Sequence, residues 1–67
     1  MLNLVKHFRE QRGLTQKELG AQTGVSRQAI NAIETGKYDP SLWLAYHIAK
    51  YFKKTIEEIF QFEEKNK

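Results

Sequence analysis

The chain is 67 residues long, carries 11 Lys and Arg against 8 Asp and Glu, and contains no Cys. One domain is all this length builds, without disulfide staples or thiolate metal sites, and its single core supplies only roughly 3 to 5 kcal/mol, so a second copy would help it. The net charge of +3 is uneven: residues 1 to 54 hold nine basic against four acidic residues, and residues 55 to 67 hold two against four, so most of the chain suits a polyanionic partner and its end does not.

The opening, MLNLVKHF, has no apolar run long enough for a signal peptide, and nowhere does the chain approach the roughly 20 apolar residues of a membrane span. A cytoplasmic protein with no membrane partner is expected. Leu4, Val5 and Phe8 fall on one helical face, predicting a first helix over residues 3 to 12 that ends at Gly13. Thr15 followed by Glu18 has the form of a capping box, flanked by Leu14 and Leu19 as a hydrophobic staple, and starts a second helix over 16 to 23. Gly24 closes it. Ser26 caps a third helix over 27 to 35, with Val25 and Ile30 as its staple, and Gly36 ends that one. Gly20 has no turn to make and costs about 1 kcal/mol in a helix interior, which close helix crossing would explain; such a crossing is expected to admit only Gly or Ala.

Gln16, Leu19, Gly20, Gly24, Val25, Ser26, Ile30, Ile33, Glu34 and Gly36 together closely resemble the helix-turn-helix of Cro and the phage repressors, and the resemblance extends more weakly from Leu4 to Phe60. It implies an all-α, five-helix, lambda-repressor-like domain spanning 1 to 67, and an ion pair between Arg9 and Glu34. It also implies that Gln16, with the Thr15 region, meets a DNA phosphate.

Pro40 bars helix on its N-terminal side, and Ser41 caps a fourth helix over 42 to 52 whose buried stripe is read as Leu42, Ala45, Ile48, Ala49 and Phe52. Trp43, Leu44, Tyr46 and Tyr51 lie off that stripe, and some of them should be covered by a partner. Thr55 with Glu58 starts a short fifth helix over 56 to 60, directing Ile56 and Ile59 inward. Phe60 and Phe62 then alternate with polar residues, the period of an extended segment that must pair with Leu2 to Leu4, with its counterpart in a second chain, or with both. The expected core is Leu4, Phe8, Leu19, Val25, Ile30, Ile33, Leu42, Ala49, Phe52, Ile56 and Ile59.

No catalytic inventory is present: there is no phosphate loop, no HExxH and no nucleophile elbow, and His7 and His47 stand alone on separate helices. No enzyme activity, metal, cofactor or small-molecule ligand is expected. A duplex-binding inventory is complete. Arg27, Gln28 and Asn31 occupy the first, second and fifth positions of the third helix, where Arg can pair with guanine and Gln or Asn with adenine. Thr15, Gln16, Ser26, Lys37 and Tyr38 are the candidates for phosphate contact. The expected function is sequence-specific double-stranded DNA binding by a homodimeric transcriptional repressor reading an inverted repeat. The dimer is expected to form through the C-terminal end, about 56 to 64, with Phe60, Phe62, Tyr51 and Leu44 at the interface. The competing class is a protein-interaction module, a DNA-binding antitoxin or a small adaptor that uses its exposed aromatics.

Overall fold

Four of the five helices begin where a hydroxyl side chain can accept a bond from a backbone N–H three residues ahead. In the computed structural model, which describes residues 1–61, the helices are α1 (Val5–Gln11), α2 (Gln16–Thr23), α3 (Arg27–Glu34), α4 (Leu42–Tyr51) and α5 (Ile56–Ile59). Thr15 and Thr55 form full capping boxes with Glu18 and Glu58, and Ser26 and Ser41 accept from Ala29 and Leu44. Each such cap is worth about 1 kcal/mol, which matters for helices of four to ten residues that are marginal alone.

The first helix starts two residues later than its hydrophobic spacing predicts. Residues 2 to 4 are taken instead by extended pairing with the end of the chain: the Leu4 N–H donates to Ile59 O at 2.8 Å, Gln61 N–H donates to Leu2 O at 2.9 Å, and Asn3 bridges antiparallel to Phe60. Of the alternatives open to the C-terminal segment, pairing with Leu2 to Leu4 is realised within the chain. Asn3 does further work that the sequence reading missed. Its Oδ1 accepts from Val5 N–H at 3.1 Å, supplying a cap that Leu4 lacks, and its Nδ2 donates to Ile33 O at 2.9 Å near the end of α3.

The core is built from Val5, Leu19, Ile30, Ile33, Leu44, Ala45, Ile48, Ala49, Phe52, Ile59 and Phe60, with Phe8, Val25, Tyr51 and Ile56 packed partly buried around it. Two expected core residues are misplaced. Leu42 is 77% exposed, and Leu4 is displaced outward by Val5. The α4 stripe runs through Leu44, Ile48 and Phe52 rather than through Leu42. Both choices obey three- and four-residue spacing, but Leu42 and Leu44 stand about 200° apart around the helix, so only one can face the core. Two residues expected at an interface between copies are consumed by this core: Leu44 is 8% exposed and Phe60 1%. Phe60 turns inward because the backbone pairing of Asn3 with Phe60 lays the segment against α5 and α1. Tyr51 is half-buried, and Phe62 lies outside the described residues.

Candidate nucleic-acid interface

The α2–turn–α3 unit is held by its own backbone. Gly24 adopts the left-handed conformation (φ 81°), and its N–H and that of Val25 both turn back to Gly20 O, the latter at 2.9 Å. Gly20 sits directly against this turn. A Cβ there would lie 2.5 Å from the Val25 carbonyl oxygen and 3.3 Å from Ser26 backbone atoms. The expected tolerance of Ala at this position is therefore corrected: the neighbour is backbone, which cannot swing aside as a flexible side chain can.

A buried polar network fixes the unit to the rest of the chain. Arg9 grips Glu34 in a two-pronged pair, Nε to Oε2 at 2.7 Å and Nη2 to Oε1 at 3.1 Å, and its Nη1 donates to Leu14 O at 2.7 Å. Both side chains are withdrawn from water, 10% and 3% exposed. Hydrogen bonding to Glu34 raises the Arg9 pKa further above its ordinary value; burial opposes this, and the negative charges of Glu34 and Glu10 add to it. Arg9 is thus charged at every pH the fold meets. The pair expected from family resemblance is present, and it joins α1, the α1–α2 loop and the end of α3.

Gln16 belongs to the same network. Its Nε2 donates to Glu34 Oε1 at 3.0 Å, a contact beyond the phosphate role that the family resemblance implies for it. The amide keeps its second N–H and its oxygen for other partners. With Gln16 held in place, Gln16, Arg27, Gln28 and Asn31 line one shallow polar recess where the start of α2 meets the outer face of α3. The phase of α3 explains this. Ile30 and Ile33 are fully buried, so Arg27, Gln28 and Asn31 face outward and Ala32 sits half-buried at the margin.

The backbone candidates divide. Thr15 and Ser26 are exposed, and their oxygens accept the cap bonds from Glu18 N–H and Ala29 N–H, which leaves each hydroxyl proton free to donate outward. No acidic residue stands in the first turn of α3, so nothing offsets the positive end of its dipole. Lys37 and Tyr38 are exposed in the following loop, anchored there by their N–H groups, which donate to Ala32 O at 3.0 and 3.2 Å. Chemically, the surface offers one guanidinium, three primary amides and two hydroxyls around a helix N-terminus.

Compared with known proteins, the chain matches the helix-turn-helix family over residues 5–59. It belongs to the helix-turn-helix family of transcriptional regulators. It is 55% identical over 64 residues to an uncharacterised HTH-type transcriptional regulator of Methanocaldococcus jannaschii, covering 96% of this chain and 97% of that one. It is 47% identical over 66 residues to the uncharacterised HTH-type transcriptional regulator YgzD of Bacillus subtilis, covering 98% of this chain and all of the relative. Among solved structures, the P22 c2 repressor protein in complex with a synthetic operator has the same fold, with a TM-score of 0.76 over 79% of this chain and 80% of that one at 23% identity. The five-helix, repressor-like architecture expected from the sequence is thereby established for this helix-turn-helix regulator.

Proposed function

We infer that the protein is a sequence-specific double-stranded DNA-binding repressor that acts in the cytoplasm as a homodimer on an inverted-repeat operator. The observation that carries this reading is the recess formed by Gln16, Arg27, Gln28 and Asn31 at the exposed N-terminal half of α3. Set in a major groove, Arg27 pairs with guanine O6 and N7, and Gln28 and Asn31 pair with adenine N6 and N7. Thr15, Gln16, Ser26, Lys37 and Tyr38 take the phosphates on either side, fixing register without reading sequence. The Gln16 to Glu34 bond orients the Gln16 amide before DNA arrives, so less side-chain freedom is lost on binding. No helix among the described residues is long and apolar enough to cross a membrane.

A protein-interaction role, as antitoxin or adaptor, is favoured by one feature, the exposure of Trp43 and Tyr46. Titrating a selected duplex against the protein over a range of salt separates the two. DNA binding loses affinity steeply as counterion release is suppressed, whereas an apolar protein contact hardly responds. A salt-insensitive, sequence-indifferent interaction with the duplex would reject the repressor reading.

A further inference from the structure

The loop after α3 exposes Lys37 and Tyr38 but does not leave its backbone free. Local bonds hold it to the helix it follows: Gly36 N–H donates to Ile33 O at 3.1 Å, and Lys37 N–H and Tyr38 N–H donate to Ala32 O at 3.0 and 3.2 Å. A second set of contacts comes from residues 1 to 3. The Met1 backbone stands against Gly36, where an added Cβ would meet Met1 O at 3.6 Å and Met1 N at 3.9 Å. The Met1 ammonium pairs with Asp39 Oδ1 at 3.1 Å.

Asn3 joins these contacts to the end of α3. Its Nδ2 donates to Met1 O at 3.2 Å and to Ile33 O at 2.9 Å, which uses both N–H groups of the amide. Its oxygen is taken by Val5 N–H at 3.1 Å. The bonds from Gln61 N–H to Leu2 O at 2.9 Å and from Leu4 N–H to Ile59 O at 2.8 Å anchor the residues on either side of Asn3. The Asp39 side chain is 61% exposed, so its ion pair is weak by itself. It bears on the loop because Asn3 has already fixed Met1. By charge alone, a carboxylate beside Lys37 and Tyr38 opposes a polyanion; holding the loop accounts for its presence there.

We propose that Asn3 and Asp39 are positioning residues for the phosphate contacts: acting through Met1, they hold residues 36 to 39 so that Lys37 and Tyr38 meet the DNA backbone already ordered. The inference rests on the reading of the protein as a DNA-binding regulator. Neither residue needs to touch the duplex, since each acts by reducing the loop freedom that binding would otherwise remove. Because phosphate contacts carry no base information, the clamp sets affinity and leaves sequence preference to Arg27, Gln28 and Asn31.

Asn3→Ser keeps an oxygen able to cap α1 while removing the amide, and Asp39→Asn alters an exposed side chain, so circular dichroism should show both variants folded. In the protein alone, hydrogen exchange at the Lys37 and Tyr38 amides should speed about tenfold in Asn3→Ser and about threefold in Asp39→Asn, with the amides of α2 and α4 unchanged. No acceleration in Asp39→Asn, or one shared equally with α2 and α4, overturns the clamp; this variant decides the matter should Asn3→Ser lose the fold. In duplex titrations, charge alone predicts tighter binding by Asp39→Asn. Positioning predicts binding weaker by about threefold to tenfold with the same base preference. Lys37→Ala should then cost less in either variant than in the intact protein, because the loop no longer presents that side chain. Tighter binding by Asp39→Asn, or a Lys37→Ala cost that simply adds, overturns the positioning role. A protein that shows the exchange pattern but binds no duplex removes the DNA reading and leaves the clamp standing.

Discussion

Replacing Gly20 by Ala sets two effects of known size against each other. In an ordinary helix interior this substitution stabilises by about 1 kcal/mol, because glycine loses more backbone freedom on folding. At position 20 the new methyl would lie 2.5 Å from the Val25 carbonyl oxygen, where ordinary contact begins at 3.4 Å. The turn must therefore retreat by about 0.9 Å, or α2 must tilt. Overpacking of this kind costs about 1 to 3 kcal/mol, and the same movement stretches the Val25 N–H bond to Gly20 O. The net effect is a loss of up to about 2 kcal/mol. For a domain of this size that lowers the melting temperature by as much as about 8 to 16 °C, at about 4 to 8 °C per kcal/mol. Gly20→Leu should fall further. Thermal melts followed by circular dichroism are the assay. A rise of about 4 to 8 °C for Gly20→Ala, the outcome for an unhindered helical glycine, would refute the close approach of α2 to the turn.

Arg9→Ala should destabilise by about 3 to 5 kcal/mol in denaturant titrations, since it strands the buried Glu34 carboxylate; a loss below about 1 kcal/mol would mean that the pair is only a surface contact. Because the Arg9 pKa is raised, its contribution is full below the unfolded-state value and is lost only as pH rises through the higher folded one, so melts from pH 7 to 10 should show no step due to this pair. In duplex binding, Arg27→Ala and Gln28→Ala should each cost about 1 to 3 kcal/mol and relax preference at particular base pairs. Lys37→Ala should instead weaken all sequences alike and reduce the salt slope by about one. Lys53, held at φ 59° after α4, should accept Gly with a gain of up to about 1 kcal/mol in stability; a clear loss would show that its side chain, rather than its backbone, matters there.

Much of this architecture is written in short-range chemistry. Thr15, Ser26, Ser41 and Thr55 each announce a helix because a cap needs only three further residues, and Gly24 announces the turn between α2 and α3. The caps also fix where α3 begins, and with it the outward set Arg27, Gln28 and Asn31, which is legible in the sequence for that reason. What escaped depends on distant partners. Leu42 and Leu44 satisfy the same periodicity, and only packing decides between them. The extended character of Phe60 was visible in its alternation, but its burial follows from pairing with Asn3, 57 positions away. Asn3 capping α1 and reaching Ile33 O, and Gln16 reaching Glu34, are contacts through space for which local patterns carry no signal.

In the proposed function, α3 reads bases as one half of a two-fold pair. Selecting bound duplexes from a random pool with the intact protein tests it most directly. The expected result is an enriched inverted repeat whose half-sites lie about 10 to 10.5 base pairs apart, centre to centre, with guanine and adenine contacts that weaken when Arg27 or Gln28 is replaced. A pool that stays unenriched, or a single asymmetric site bound equally well by Arg27→Ala, would contradict the account.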